Sequence, residues 1–202
     1  MHLDRGIATL LLGVCAVGGL AACTGPSPDP TSKPTAESGG PARTPTSTPT
    51  STTLPEAIAP KRPAAMDEVS VAGAEAAAEY FLQLYPYVYA TGDLAEWRSL
   101  SHAGCQFCAS VISNVEEQVA LMHTTQGGAI SIQSVEGVAV DSSYTSVTVE
   151  FRQAPSATLD RAGTLVEDFP DAKTYRTLVG VEIANGKPVI RGVQPEVISG
   201  TA

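Results

Sequence analysis

A stretch of forty residues, 24–63, limits how much of this chain can fold. It holds ten of the fifteen prolines and fourteen serines and threonines, and it contains no aromatic residue. Such a composition cannot bury enough apolar surface to offset the conformational entropy that folding costs. We therefore expect a disordered tether here, reaching at most about 120 Å at about 3.1 Å per residue, and one folded domain over residues 64–202.

An apolar segment, residues 7–20, precedes this tract and runs into Leu20-Ala21-Ala22-Cys23. At about 14 residues it is too short to span a bilayer as a permanent helix, which takes roughly 20. Small residues followed by a cysteine are typical of a lipobox, where a bacterial lipoprotein is cleaved and its cysteine takes a diacylglycerol. We predict a lipoprotein signal peptide at 1–22 and a lipidated Cys23 that opens the tether, 23–63. An ordinary signal peptide with an Ala-x-Ala cleavage site is the alternative.

The predicted lipid and the net charge together indicate how the domain is attached to a membrane. Two acyl chains make a stable anchor, whereas one chain binds only marginally. The formal net charge is −9, and nearly all of the acidity lies in 64–202. An acidic domain without a Lys/Arg cluster is a poor partner for nucleic acid and is repelled by anionic headgroups. We therefore expect attachment to the extracytoplasmic face of the cell membrane through Cys23, and no nucleic-acid binding.

Three helices are predicted at the start of the domain. Residues 69–90 have apolar side chains at helical spacing, and Pro86 is expected to kink or end this helix. A short second helix ends near Leu100. The third helix is predicted over about 105–123. Its expected buried stripe consists of Val111, Ile112, Val115, Val119 and Met122.

The first two helices are joined at Gly92 and Asp93. Gly92 suits a left-handed C-terminal cap, and Asp93 suits an N-cap, with Glu96 three residues later completing a capping box. An alternative makes Asp93 an acid/base group, with Tyr80, Tyr85 or Tyr89 as hydrogen-bond donors. The cap is the preferred interpretation, because a capping carboxylate is already engaged by backbone N–H groups.

From Ala129 onward the apolar spacing changes to two, which predicts antiparallel strands. Residues 154–172 are predicted to be an excursion with a turn at 160–163 and a short edge segment. Asn185-Gly186 predicts the hairpin turn before the last strand. The first strand, which is expected to bend at Gly137, has one predicted side made of Ile130, Ile132, Val138 and Val140. Helices followed by such strands predict an α+β fold, with the helices packed on one face of a curved antiparallel sheet.

The order of helix, Ala90-Thr91-Gly92-Asp93 joint, short helix, third helix and curved sheet resembles the NTF2-like (SnoaL-like) α+β cone. The joint, Leu100-Ser101 and Cys105-x-x-Cys108, behind a lipobox and a Pro/Thr tether, are similar to a family of actinobacterial lipoproteins with a domain of unknown function. The resemblance covers most of 68–197. It implies no assigned activity, because NTF2-like proteins include enzymes as well as binding and scaffold proteins.

Cys105 and Cys108 are the sharpest candidates for chemistry. In an exported protein we expect them to form a structural disulfide, whose small loop contributes about 2 kcal/mol. A redox pair is one alternative, because a helix N-terminus stabilises a thiolate, although thioredoxin-like pairs follow a strand. A zinc site is another alternative. However, His102 and the two cysteines supply only three of the four ligands that a structural zinc site takes, and His123 would lie about 22 Å beyond Cys108 along a continuous helix. We predict no metal and no cofactor.

Four further residues are candidates for lining a pocket. Tyr85 and Tyr89 cluster near the end of the first helix. Glu136 and Arg191 share strand sides with apolar residues, so two opposite charges would face a polar pocket. In the alternative, the tyrosines form an edge of the core and the charged residues lie in water.

These features give two hypotheses of different classes. The preferred one is a lipid-anchored, non-catalytic binding domain for a cell-envelope protein or an apolar small molecule. The other is a cell-envelope enzyme that uses Cys105 and Cys108 for thiol–disulfide exchange, or an acid/base residue in a pocket. No catalytic-triad spacing and no phosphate-binding glycine loop is recognisable in the sequence.

Overall fold

The computed structural model describes residues 57–200, so the predicted signal peptide, Cys23 and most of the predicted tether lie outside the described residues. The described chain begins with a 3-10 turn, Ala64–Asp67. Three helices follow: α1 Val71–Thr91, α2 Ala95–Leu100 and α3 Gln106–Ala120. The strands are β1 Thr124–Gly127, β2 Ile130–Ala139, β3 Tyr144–Gln153, β4 Ser156–Leu159, β5 Leu165–Phe169, β6 Lys173–Ala184 and β7 Lys187–Gly200. Over residues 57–200, no helix is long and apolar enough to cross a membrane.

The predicted α+β class is confirmed: the helices come first and pack against antiparallel strands. The strands hydrogen-bond in two groups, a large sheet in the order β2-β3-β6-β7 and a small sheet in the order β1-β4-β5. Every pairing between neighbouring strands is antiparallel. Helix α1 contacts both sheets, which makes it the central element of the core.

Helix α1 is buried on more of its circumference than the spacing of its apolar residues predicts. Ser70 caps it, since its Oγ accepts a hydrogen bond from the Gly73 N–H at 3.0 Å. The helix does not end at Pro86 but continues to Thr91. Pro86 removes one intrahelical donor, yet Leu84 and Val88 on either side of it are fully buried. Packing of these neighbours stabilises the helix across the proline.

The prediction for the end of α3 was wrong. The helix stops at Ala120 rather than near His123, and Met122 has a left-handed backbone with φ of 56°. Val119 and Met122, expected in the buried stripe, are therefore about half exposed. Residues 124–127, which directly follow the predicted helix, form β1 and pair with β4. Their consecutive threonines suit a strand better than a helix.

A β-bulge corrects the predicted sides of β2. The pairing with β3 shifts between Ile132 and Ser134, so Gln133 is an extra residue. One extra residue moves every later side chain to the other face of the sheet. As a result, Val138 and Val140 are 60% and 62% exposed, and Glu136, expected to face inward, is exposed.

A second bulge corrects the prediction for Arg191. Along the β6–β7 ladder Val181 pairs with Ile190 and Gly180 with Gly192, which leaves Arg191 as the extra residue. Its side chain is exposed, and its Nη1 donates a hydrogen bond to Glu182 Oε2 at 2.7 Å. Arg191 therefore belongs to a surface ion pair.

The remaining strand predictions are confirmed. Asn185-Gly186 forms the turn between β6 and β7. The excursion at 154–172 contains the β4–β5 hairpin, whose turn lies at 160–163. On β6 the expected inner side is buried or half-buried throughout; its residues are Tyr175, Thr177, Val179, Val181 and Ile183.

Candidate ligand-binding cavity

Aromatic side chains connect α1, α2 and the start of α3. Phe81 and Trp97 stack with ring centroids 3.9 Å apart and planes inclined by 26°. Tyr85 lies next to them, with its ring centroid 6.3 Å from Trp97 and 6.4 Å from Phe107. These aromatic rings therefore pack the three helices together. Tyr85 lies on the side of the aromatic cluster that borders a cavity lined by strand residues.

A disulfide joins Cys105 and Cys108 in the structure. Cys105 caps α3, because its Sγ accepts a hydrogen bond from the Cys108 N–H at 3.2 Å. The indole Nε1–H of Trp97 donates to the Cys108 carbonyl at 3.2 Å. The disulfide loop therefore fixes the first turn of α3 against α2, and it holds Phe107, which lies within the loop, against Tyr85.

Both cysteines are 1% exposed. Thiol–disulfide exchange requires a thiolate to reach one sulfur, so this burial opposes a redox role. The disulfide also removes the thiolates that a zinc ion would need. Among residues 57–200, no group of three or more His, Cys, Asp and Glu side chains is placed to hold a metal ion.

An open cavity of about 510 Å³, here called the cleft, lies between the end of α1, α3 and the small sheet. Tyr85 and Tyr89 both line it, one helical turn apart, with ring centroids at 4.9 Å. Gln118 Nε2 donates to the Tyr89 carbonyl at 2.6 Å, and the Thr125 hydroxyl donates to Gln118 Oε1 at 2.7 Å. These bonds connect α1, α3 and β1 on one side of the cleft.

The mouth of the cleft is more acidic than basic. Three carboxylates, Glu117, Glu167 and Asp171, line it together with one lysine, Lys173. His123 also lines it. A lining with this charge balance disfavours a strongly anionic ligand.

A second, smaller cavity of about 150 Å³ adjoins the cleft and is here called the apolar pocket. Tyr85, Gln153 and Tyr175 line both cavities. The apolar pocket is otherwise lined by Leu82, Phe107, Ile130, Phe151, Thr177, Val193 and Pro195. Burial, with a contribution from Tyr89, raises the pKa of Tyr85 well above its ordinary value. Its phenol is therefore protonated at any physiological pH and can donate a hydrogen bond.

The structure brings together only part of the predicted pocket set. Tyr85 and Tyr89 line the cleft, whereas Glu136 and Arg191 line neither the cleft nor the apolar pocket. Gln153, Tyr175 and Thr177 were not predicted as lining residues. The alternating pattern of β6 does place Tyr175 and Thr177 on its inner side. A polar residue among inward-facing valines was the sequence signal that could have identified Thr177 as a lining residue.

Neither cavity is lined by the residues that join α1 and α2. Gly92 ends α1 with φ of 76°, and its N–H donates to the Val88 carbonyl at 2.8 Å. The assigned N-cap of α2 is Leu94, one residue after the predicted Asp93. The Asp93 carboxylate still accepts from the Ala95 N–H at 3.0 Å and from the Tyr87 hydroxyl at 3.1 Å.

The predicted capping box does not form. The Glu96 carboxylate accepts from the Ser99 hydroxyl at 3.3 Å and lies 3.6 Å from Arg62 Nε, instead of reaching back to the Asp93 N–H. Asp93 lines neither the cleft nor the apolar pocket. This position gives no support to an acid/base role for Asp93.

The folded domain is distantly similar to several solved structures. It is similar to the intermembrane-space region of the chloroplast protein ARC6, with a TM-score of 0.49 and 11% identity over 64% of this chain and 97% of that one. It is also similar to the Kfla4162 protein of Kribbella flavida, with a TM-score of 0.45 and 7% identity over 65% and 95%. An IcmL-like type IV secretion system protein of Legionella pneumophila gives 0.42 and 9% over 66% and 96%. Similarities this distant carry no functional argument.

Sequence comparison gives the family. No curated protein matches this chain significantly. A family described as "Family of unknown function (DUF6318)" matches residues 55–190, which span the three helices, strands β1 to β6 and the first four residues of β7. The chain belongs to the DUF6318 family.

Proposed function

We propose that this chain is a lipid-anchored protein of the cell envelope whose domain binds a small molecule in the cleft without transforming it. The observation that carries this proposal is that the two cavities are adjacent and share three lining residues. An open cleft with a mixed polar and apolar lining and a mainly apolar pocket share Tyr85, Gln153 and Tyr175. A concave site that is apolar at its inner end, with a few polar groups, is the usual form of a small-molecule site.

The lining indicates the kind of ligand. The apolar pocket favours a hydrophobic end, and the carboxylates at the mouth of the cleft favour a neutral or cationic polar end. The ligand is therefore an amphipathic molecule rather than a strongly anionic one. A cell-envelope protein as the partner is the alternative, and the paired cavities support the small molecule instead.

The anchor is supported by the sequence and by the disulfide. Leu20-Ala21-Ala22-Cys23 has the order of a lipobox, and the Pro/Ser/Thr-rich tract follows it. A disulfide between Cys105 and Cys108 fits the oxidising environment outside the cytoplasm. The proposed location is the extracytoplasmic face of the cell membrane, as for the actinobacterial lipoproteins that the sequence resembles.

An enzymatic function has less support. The cysteine sulfurs are buried in their disulfide, and Asp93 is engaged by Ala95 and Tyr87 away from the cavities. The cleft contains His123 and three carboxylates, but no nucleophile with an adjacent base is found among the described lining residues.

Native mass spectrometry of the protein extracted from its own membrane tests the binding function. We expect a fraction of the wild-type protein to carry a non-covalent small molecule. Gln153→Trp, which fills the lining shared by both cavities, is expected to abolish that mass. Arg152→Trp is the matched control, because Arg152 is the preceding residue on β3 and is exposed. No added mass in the wild type, or equal retention in both variants, would contradict the proposal.

A further inference from the structure

Thr177 lies in the middle of β6 and is fully buried. Its Oγ1 is a buried side-chain oxygen without a hydrogen-bond partner among residues 57–200. Leaving a buried hydroxyl unpaired costs free energy, and a valine of the same shape at this position would avoid that cost. An unpaired buried group of this kind calls for an explanation in terms of function or a missing partner.

The surroundings of Thr177 offer it little to bond with. The pocket that it lines is formed mainly by carbon, including Leu82, Phe151 and Val193. Its ladder partner on β7 is Pro195, which has no backbone N–H. Tyr85, Gln153 and Tyr175 also line the pocket, but none of their polar atoms pairs with the Thr177 hydroxyl. A molecule that enters the pocket would supply the missing partner.

The size of the pocket limits what can enter. A dry cavity of about 150 Å³ holds one benzene-sized group, and the apolar pocket has about 150 Å³. The part of a ligand that fits here is therefore one small ring or a branched chain of about six heavy atoms. The remainder of the ligand has the adjoining cleft, of about 510 Å³, available to it.

We propose that the apolar pocket accepts a ring-sized apolar group that carries one hydroxyl or carbonyl oxygen, and that this oxygen pairs with the Thr177 hydroxyl. The rest of the ligand extends past Tyr85 and Tyr175 into the cleft. This inference rests on the proposed small-molecule function and names the chemistry of its inner end. Because Thr177 is fully buried, entry of the ligand oxygen requires side chains around it, such as Phe151 and Tyr175, to shift.

Two probes of nearly equal shape test the pairing: phenol, which has the oxygen, and toluene, which lacks it. Binding is measured by titrating each into residues 23–202 carrying Cys23→Ser, which avoids lipid and detergent, and following the ¹³C-methyl resonances of Leu82, Ile130 and Val193. Thr177→Val is expected to weaken phenol binding about tenfold, the effect of one hydrogen bond, and to change toluene binding less than twofold. Thr177→Ser, which keeps the hydroxyl, is expected to retain the preference.

Thr148→Val is the matched control. Thr148 lies on the neighbouring strand between the fully buried Val147 and Val149, so it faces the other side of the sheet. We expect it to leave the binding of both probes unchanged. Without any probe, Thr177→Val is also expected to raise the melting temperature, because it removes an unpaired buried hydroxyl.

The inference is overturned if Thr177→Val weakens both probes equally, or if phenol binds equally well with and without the hydroxyl. It is also overturned if neither probe shifts the three methyl resonances. In that last case, a co-purifying molecule that Gln153→Trp removes would still leave the proposed function standing.

Discussion

Gly137 lies at a close contact between α1 and the large sheet. Its N–H donates a hydrogen bond to Glu75 Oε1 at 2.7 Å, which gives the half-buried carboxylate a partner. A Cβ added at Gly137 would lie 2.7 Å from Val71 Cγ1 and 3.0 Å from Glu75 Cγ. The absence of a side chain is therefore what allows the backbone of β2 to reach the helix.

Gly137→Ala is expected to lower the free energy of unfolding by about 1–3 kcal/mol, because the added methyl overpacks this contact. Denaturation in urea, monitored by circular dichroism, measures the change. Gly192→Ala is the control: a Cβ there meets no atom within 4 Å. It is expected to be neutral or to stabilise by less than about 1 kcal/mol. Equal losses at both glycines would show that the close approach to α1 is not the cause.

At the same scale, the sequence indicates which residues are polar or apolar but not always the direction in which they face. Tyr85 and Tyr89 both line the cleft, because one unbroken helix fixes their spacing. The inward orientation expected of Glu136 and Arg191 was wrong, because each strand contains a β-bulge, and no residue type indicates an extra residue in a strand. Arg191 instead lines a separate open cavity together with Glu182. Thr177 was placed on the correct side of β6, but its unpaired hydroxyl is visible only in the structure.

Among the elements, those with their own local signals were predicted best. Helix α2 and the β6–β7 turn follow from residues that are favourable at caps and turns. Strand β1 was missed because residues 124–127 are too few to show alternation, and their pairing with β4 joins residues that are 29 to 35 positions apart. Such pairing depends on tertiary contacts, which a local pattern does not contain.

The disulfide loop at the start of α3 gives a prediction for an element. Replacing Cys105 and Cys108 together by serine is expected to lower the free energy of unfolding by about 2 kcal/mol and to weaken probe binding near Phe107. Thermal and urea denaturation measure the stability. A reductant in native buffer is expected to leave the wild-type disulfide intact, because both cysteines are buried, and to reduce it once urea opens the domain. Rapid reduction of the folded protein would restore the redox alternative.

For the whole molecule, the order of the elements was sufficient to predict the class. Helical spacing before residue 124 and alternation after it gave an α+β fold, and the structure has that arrangement. The division of the strands into two sheets was not predictable, because it depends on the pairing of the β4–β5 hairpin with β1, which is distant in the sequence. The cleft lies beside that small sheet, so its existence was equally beyond the sequence pattern.

Cys23→Ser tests the attachment of the whole molecule. We expect the wild-type protein to partition into the detergent phase of Triton X-114 and its mature form to begin at a diacylglyceryl cysteine, because two acyl chains anchor stably. Cys23→Ser is expected to abolish both properties. Cys15→Ser is the control and is expected to change neither, because Cys15 lies in the predicted signal peptide. An unmodified Cys23 in the intact mass of the mature wild-type protein would refute the anchor.

The chain contains a single tryptophan. Trp97 is fully buried, stacked on Phe81 and hydrogen-bonded to the backbone beside the disulfide. All indole fluorescence therefore originates from one point at the junction of the three helices, next to the rings that surround Tyr85. The emission wavelength and the quenching of this indole are an intrinsic optical signal of that junction. They report the opening of the junction without any attached dye.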